Sequence, residues 1–112
     1  MEIRNAVIDD TMLGYEDHGI LSAWLMTKSG SISQGFGGYA LDDWNEKKGK
    51  RVADVHCGWF IARVLEVVGV SSWEKLKGKY IRVKADYSGI YEIGNAIEDK
   101  WFDFKGEWEQ HE

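Results

Sequence analysis

Apolar residues near the N-terminus lie in short runs that predict extended chain. Ile3 and the run Ala6 to Ile8 favour a strand over residues 2–8, although their alternation is imperfect. Two further apolar pieces, residues 12–15 and 20–26, flank the polar segment Glu16-Asp17-His18-Gly19, whose last residue suits a turn. The pattern therefore predicts a hairpin that follows the first strand.

The middle of the chain contains the longest stretch with a helical period. Residues 29–39 hold four glycines and follow neither a helical nor a strand period, and the charged residues 42–51 predict a loop. Asp54 is suited to cap a helix, and Gly69 to end it. The apolar residues assigned to this helix are Trp59, Phe60, Val64, Leu65 and Val68.

The second half of the chain predicts a short helix and a second hairpin. Ser71-Ser72-Trp73-Glu74 fits a capping box, which favours one more helical turn. Residues 80–83 and 90–93 favour two strands joined by a turn at Asp86 to Gly89. We therefore expect an α+β fold: a single domain over residues 1–112, with a mostly antiparallel sheet, one main helix and one short helix.

The composition indicates a folded chain, and the net charge and the length of the apolar runs disfavour some classes of function. Among 112 residues, 44% are hydrophobic and six are tryptophan, which is far from the composition of disordered chains. The net charge of −5 disfavours binding to a nucleic-acid backbone, so DNA is not expected as a partner. No apolar run could span a bilayer, no secretory layout opens the chain, and the lone Cys57 fits a reducing compartment. The cytoplasm is the expected location.

The glycine cluster Gly35, Gly37 and Gly38 has two interpretations. Backbone amides without obstructing side chains could hold a phosphate or a ring. The alternative is a tight bend or bulged strand that packs on aromatic neighbours. The spacing matches neither a dinucleotide fingerprint nor a phosphate-binding loop, so the sequence leaves both interpretations open.

The histidines give little support for a metal site or for catalysis. Glu16 and Asp17 flank His18, but neighbours along a turn rarely converge, and Asp17 or His18 more often satisfies turn amides. No His-Glu-x-x-His spacing accompanies them. His56 adjoins Cys57 in a predicted helix, where successive side chains diverge. We expect no metal and no catalytic residue.

Arg51 is a candidate for phosphate binding, since it lies just before a predicted helix N-terminus that favours anions. The alternative is a surface arginine that pairs with Asp54. If Arg51 binds the ligand, Arg51→Ala is expected to weaken binding and to leave the fold intact.

Arg82 and Lys84 form a second candidate site. Both residues alternate with Ile81 and Val83, so they project from the opposite face of one strand. Trp101, Phe102 and Phe104 offer flat surfaces on which a base could stack. A solvated sheet face and a set of core aromatic residues are the alternatives.

Four segments resemble one protein family, the first type of phage Thoeris anti-defence protein. The segments are Leu13-Gly-Tyr-Glu-Asp-His-Gly-Ile-Leu21, Gln34-Gly-Phe-Gly-Gly-Tyr-Ala-Leu-Asp42, Gly69-Val-Ser-Ser-Trp-Glu-Lys-Leu-Lys-Gly-Lys-Tyr-Ile-Arg-Val83 and Ile93-Gly-Asn-Ala-Ile-Glu-Asp-Lys-Trp-Phe102. Together they cover most of the chain.

The resemblance implies a ligand sponge without enzymatic activity or a cofactor. Members of the family bind cyclic ADP-ribose isomers (gcADPR) made by bacterial TIR-domain sensors, and they block Thoeris immunity without cleaving the signal. Some members also bind cyclic trinucleotides at separate sites, and they form homodimers that can build hexamers. The implied location is the cytoplasm of the infected bacterial host.

The resemblance also suggests which residues contact the ligand. The family's pocket lies between protomers and uses arginine, aromatic and amide side chains, for which the nearest counterparts are Arg51, Arg82, Asn95 and Trp101. Further candidates are Phe102, His18, Gln34, Gly35, Phe36, Gly37 and Gly38. Relatives are richer in glycine before Gln34 than the Ser29 to Ser33 segment here, which weakens the expectation of a trinucleotide site.

Two other functions remain open on the sequence. An acidic protein could inhibit a host defence enzyme by protein–protein contact, but the only dense acidic places are Asp42-Asp43 and Glu107, Glu109 and Glu112. A hydrolase acting on the same nucleotide is the other possibility, and recovery of intact or altered ligand would distinguish it from a sponge.

Overall fold

Eight strands and two α-helices make up the chain in its computed structural model, which describes residues 1–16 and 18–110 and the backbone of residue 111. Predictions that involve Asp17 or Glu112 lie outside the described residues. The strands are β1 (Glu2–Glu16), β2 (Ile20–Ser29), β3 (Ile32–Gly37), β4 (Asp42–Asn45), β5 (Lys50–Ala53), β6 (Tyr80–Asp86), β7 (Gly89–Asn95) and β8 (Trp101–Asp103); the helices are α1 (Val55–Val68) and α2 (Phe104–His111).

Six strands form one antiparallel sheet in the order β3-β2-β1-β6-β7-β8, and β4 pairs with β5 in a separate ribbon. The predicted α+β fold with a mostly antiparallel sheet is confirmed. The sheet curves strongly, so that Phe36 on the first edge strand contacts Phe102 on the last, with ring centroids 5.7 Å apart. Helix α1 lies inside this curve and contributes Phe60, Val64 and Val67 to the core.

The ends of α1 follow local rules. The side chain of Asp54 accepts a hydrogen bond from the backbone N–H of His56 at 2.8 Å, as the predicted N-cap requires. Gly69 ends the helix with φ of +87°, a left-handed conformation that glycine adopts without a steric penalty. Both predicted boundaries of the main helix are confirmed.

The predicted short helix is a 3₁₀ turn, Trp73–Lys75. The hydroxyl of Ser71, the serine three residues before Glu74, accepts from Nζ of Lys75 at 2.9 Å and caps no amide among the described residues, and Ser72 makes no side-chain capping bond either, so the predicted capping box is wrong. The turn is closed by the main chain instead, since the N–H groups of Lys75 and Leu76 donate to the carbonyls of Ser72 and Trp73. The short α-helix of this fold is α2, which lies in the tail.

Three further segments differ from the prediction. Strand β1 is one long strand with an irregularity between Ile8 and Asp10, where the sequence predicts two extended pieces. Strand β3 occupies the glycine-rich segment, in which the strand period is hidden because glycines have no side chain to alternate. The charged residues 42–51 form most of the β4–β5 ribbon, where a loop is predicted.

Candidate functional site

Arg82, Trp101 and Asn95 are the predicted site residues that the fold brings together. Arg82 on β6 pairs with Gly94 on β7, and Gly94 pairs with Trp101 on β8. Because Ile81 and Val83 are buried beneath the sheet, Arg82 lies on its outer face. We call the group formed by Trp101, Arg82, Lys84 and Gly94 the Trp101 platform.

Gly94 allows the indole of Trp101 to lie close to the sheet. A Cβ atom at this position would be 2.6 Å from Cε3 of the ring, a distance that real side chains do not tolerate. Two cations lie over the ring: Cζ of Arg82 is 4.9 Å from its centroid, and Nζ of Lys84 is 4.4 Å. The platform therefore combines a flat apolar surface with two positive charges.

The guanidinium of Arg82 is held by the loop that follows β7. Its Nε donates to the carbonyl of Asn95 and its Nη2 to the carbonyl of Glu98, both at 2.8 Å. A guanidinium has five N–H donors, and the described residues accept from two of those of Arg82, which leaves three for an anion. Arg82 thus has a fixed position and unused donors, which is what a phosphate-binding arginine needs.

The side chain of Asn95, a predicted ligand contact, has a structural role. Its Nδ2 donates to the carbonyl of Val67 at 2.9 Å and lies 3.5 Å from that of Val68, at the end of α1. Its Oδ1 accepts from the N–H groups of Ile97 and Glu98, both at 2.9 Å. Asn95 therefore fixes the loop that holds Arg82, and acts on the platform indirectly.

A recess of about 240 Å³ adjoins Trp101, between α1 and the loop before β8. Arg63 on its wall donates to the carbonyl of Trp101 at 2.9 Å and to the carboxylate of Glu107 at 2.8 Å. The hydrogen bond with Glu107 is the main cause of a raised pKa for Arg63. Lys100 adds a second cation to the wall and pairs with Glu98 at 2.8 Å.

Phe36 and Phe102 lie in the core, which corrects their assignment as ligand contacts. Phe36 is 1% exposed and Phe102 is fully buried. Both rings pack against Phe60 of α1, with centroid distances of 6.0 and 5.6 Å. Neither ring presents a face on which a base could stack.

The glycines of β3 and the residue after it provide close packing against β2. A Cβ atom at Gly35 or Gly38 would come within 2.8 or 2.1 Å of the indole of Trp24, and one at Gly37 would lie 2.2 Å from the carbonyl oxygen of Ala23. The amide of Gly38 donates to that carbonyl at 2.7 Å. The contacts match the packing interpretation, and the Gly38 amide is not available to a ligand.

Gln34 lies in an open groove of about 680 Å³. The polar side chains that line this groove bind one another. The side chain of Gln34 accepts from Arg4 and donates to the carbonyl of Asp86 at 2.8 Å, and Arg4 also donates to Glu2. Gln34 therefore joins β3 to the end of β6 across the curved sheet.

His18 lies apart from the platform, in the exposed turn between β1 and β2, with φ of +65°. Within residues 1–16 and 18–110, no three side chains among histidine, cysteine, aspartate and glutamate are grouped so as to hold a metal ion.

Arg51 binds Asp42, and not Asp54 as the alternative interpretation proposes. Its Nε donates to Oδ1 of Asp42 at 2.9 Å, and its Nη2 donates to the carbonyl of the same residue. Asp42 is only 2% exposed and also accepts from the N–H of Leu21. Arg51 therefore holds a buried carboxylate and joins the ribbon to β2. The expectation that Arg51→Ala leaves the fold intact is not supported by this arrangement.

Asp42→Asn is expected to destabilise the protein at pH 7 by about 1–3 kcal/mol, because it removes the charge that Arg51 binds. This loss of stability is smaller than the loss expected for a fully buried ion pair, since the Arg51 side chain is 30% exposed. The hydrogen bond from Arg51 is the main cause of a lowered pKa for Asp42. This stabilisation is present above the unfolded pKa of about 4 and is lost as the pH falls through the lower folded pKa.

Urea unfolding at pH 7 and at several pH values below 5 measures the difference in unfolding free energy between wild type and Asp42→Asn. The gap between wild type and Asp42→Asn should narrow as the pH falls, whereas the exposed neighbour Asp43→Asn serves as the control and should stay close to wild type. A gap that does not change with pH contradicts the role given to the Asp42 charge.

Gly94 is the site residue that sequence reasoning missed. An isolated glycine inside an alternating strand indicates that another group approaches the backbone closely, and this signal was present in residues 90–95. Neither helix in the described part of the chain has the length and apolar character that a membrane crossing requires. The chain matches no protein-family model, no curated protein and no solved structure.

Proposed function

We propose that this protein binds and sequesters a cyclic ADP-ribose isomer (gcADPR) made by bacterial TIR-domain proteins, and so blocks Thoeris immunity without cleaving the signal. The observation that carries the proposal is the Trp101 platform. An adenine needs a flat partner and a diphosphate needs fixed donors, and Trp101 and Arg82 supply both within one cluster. The four-segment resemblance to phage anti-defence proteins supports the same ligand.

The chemistry of the platform favours capture over turnover. Arg82 and Trp101 offer a permanent cation and an apolar ring, and neither group is a nucleophile or a base at neutral pH. The three N–H donors of Arg82 that bind no other described residue suit phosphate oxygens, and the partly exposed indole suits a base. Binding without bond cleavage is what a sponge requires.

A second copy of the chain is part of the proposal. Protein pockets for small molecules commonly enclose about 300–1,000 Å³, whereas the recess beside Trp101 encloses about 240 Å³. A dinucleotide-sized ligand on one chain would stay largely exposed to water. A homodimer, or a hexamer built from dimers, would cover the ligand and link assembly to binding.

Ligand recovery tests the proposal directly. The full chain is incubated with purified gcADPR, free ligand is removed by filtration, and the protein is heated before mass spectrometry of the released material. Release of intact gcADPR supports a sponge. Release of an altered molecule would mean that the protein is an enzyme, and no depletion of the ligand would contradict capture.

Arg82→Ala is expected to weaken gcADPR binding by about 10- to 100-fold, since charge-assisted hydrogen bonds contribute about 1.5–3 kcal/mol. Arg82→Lys keeps the charge and loses the forked donor geometry, so it should recover only part of the affinity. Lys79→Ala removes an exposed cation near the start of β6 and is the matched control. Calorimetry measures the affinities, and wild-type affinity in Arg82→Ala would remove Arg82 from the site.

A further inference from the structure

Strand β1 is longer than the strand that covers one of its two edges. Strand β6 pairs with residues 2–7 of β1, and main-chain hydrogen bonds at Ile8 extend this contact by one residue. Residues 10–16 of β1 pair with β2 on the other side, but no described strand pairs with their second edge. We call this second edge of residues 10–16 the free edge of β1.

The hydrogen bonds of β2 show which main-chain groups of β1 point to the free edge. The carbonyls of Leu21 and Ala23 on β2 accept from residues outside β1, so they point away from β1. Leu13 and Tyr15 lie opposite these two residues. In an antiparallel ladder such pairs make no hydrogen bonds with one another, so the N–H and C=O groups of Leu13 and Tyr15 point to the free edge. No described residue binds them there, and an edge of this kind is a template for another strand.

Gly14, between these two residues, is not required by contacts within the described chain. Its φ lies outside the positive range that favours glycine, and an added Cβ would meet only Sδ of Met12, at 3.9 Å. The other glycines that lie beside a ring differ, because Gly35, Gly38 and Gly94 each leave room for an indole. A glycine inside a strand often marks a place where another main chain approaches closely. At Gly14 the open side of the strand is the free edge.

We propose that the free edge of β1 binds the same edge of a second copy of this chain, antiparallel, with Gly14 at the two-fold axis. Leu13 of each copy then lies opposite Tyr15 of the other, and the two residues exchange N–H···O=C hydrogen bonds. The two Gly14 residues form a pair without hydrogen bonds, in which the strands come closest, with Cα atoms about 4.5 Å apart. Leu13 and Tyr15 are 41% and 71% exposed and share one face of β1, so the contact covers apolar surface that one copy leaves in water.

The charges along the edge favour this register. An axis at Leu13 would place Asp10 opposite Glu16 of the second copy, and like charges directly opposite one another destabilise a strand pair. With the axis at Gly14, Glu16 lies opposite Met12 instead. Asp10, whose carboxylate lies 4.0 Å from the ammonium of Lys77, is beyond the paired residues 12–16.

The edge also favours a second copy over a foreign strand. A two-fold contact uses the same surface on both copies, so it covers both free edges at once. A foreign strand would need its own free edge with apolar residues in the same register. The proposed function requires a second copy as well, but the pairing at the free edge does not depend on the ligand.

The test places charges at the axis and measures self-association of the full chain by sedimentation velocity. Gly14→Asp puts two carboxylates opposite one another and is expected to weaken association about tenfold or more; Gly14→Lys should weaken it less, because its longer side chains can move apart. A mixture of the two variants should associate more tightly than either alone. Gly58→Lys, at an exposed position on α1 where a Cβ has open space, is the control and should associate like wild type. Thermal unfolding checks that each variant is folded.

Amide hydrogen exchange of the wild type, followed by NMR, tests the edge itself. The amides of Leu13 and Tyr15 should exchange more slowly as the protein concentration rises, whereas the amide of Gly14, which faces β2, should be protected at every concentration. A chain that stays monomeric, or a dimer in which the Leu13 and Tyr15 amides still exchange fast, would overturn the proposal. So would a mixture of the charged variants that associates no better than each alone. These measurements contain no gcADPR, so their outcome is independent of the proposed capture of that ligand.

Discussion

Phe102→Ala is expected to lower the free energy of unfolding by about 3–5 kcal/mol, the range found when a buried phenylalanine is removed from a core. The ring of Phe102 is fully buried and lies within 5.4–5.7 Å of the rings of Trp59, Phe60 and Phe36, measured between centroids. The guanidinium of Arg63 lies 5.3 Å from it. Removing the ring leaves a cavity between the two edges of the sheet and α1, which rigid neighbours fill only in part.

Urea unfolding followed by tryptophan fluorescence measures the loss. Tyr87→Ala is the control, because the Tyr87 side chain is fully exposed in the β6–β7 turn and its removal should change stability by less than about 0.5 kcal/mol. A cost below about 1 kcal/mol for Phe102→Ala would mean that Phe102 does not join the edges of the sheet.

The parts of the fold that sequence predicted well are those set by local interactions. The boundaries of α1 depend on Asp54 and Gly69, whose capping roles act within a few residues. The β6–β7 hairpin depends on alternation and a short turn, and Ile81 and Val83 are buried as the alternation predicts. Both features can be recognised without knowing what packs against them.

The parts that sequence missed depend on residues far apart in the chain. Strand β3 is specified by Trp24 on β2, whose indole occupies the space that side chains at positions 35 and 38 would need. The β4–β5 ribbon contains the buried pair of Asp42 and Arg51, which in sequence looks like two ordinary charges in a polar loop. No local rule distinguishes these cases from a solvated loop.

The candidate site was partly predictable, because strand alternation is a local signal. Strand alternation placed Arg82 and Lys84 on one face, and in the structure both cations lie over the ring of Trp101. Phe36 and Phe102 were wrongly predicted to contact the ligand, because the sequence alone does not distinguish an aromatic residue in a core from one on a binding surface. Burial separates the two roles, and burial depends on the whole fold.

Gly37→Ala is expected to destabilise the protein by about 3 kcal/mol or more. Gly37 has φ of +118°, a conformation that costs an L-amino acid about 1–3 kcal/mol. The added Cβ would also lie 2.2 Å from the carbonyl oxygen of Ala23, which is main chain of a central strand and cannot rotate away. Strain and the steric clash act together, so the pairing between β2 and β3 should be lost first.

Gly58→Ala is the matched control for the same chemical change. Gly58 lies inside α1, has no atom within 4 Å of a built Cβ, and has a backbone conformation that other residues adopt. Alanine favours a helix over glycine by about 1 kcal/mol, so this substitution should raise the midpoint of urea unfolding while Gly37→Ala lowers it. Opposite signs are expected because Gly37 is required by contacts with β2, whereas Gly58 weakens its own helix. A midpoint for Gly37→Ala at or above that of wild type would contradict the close approach of β3 to Ala23.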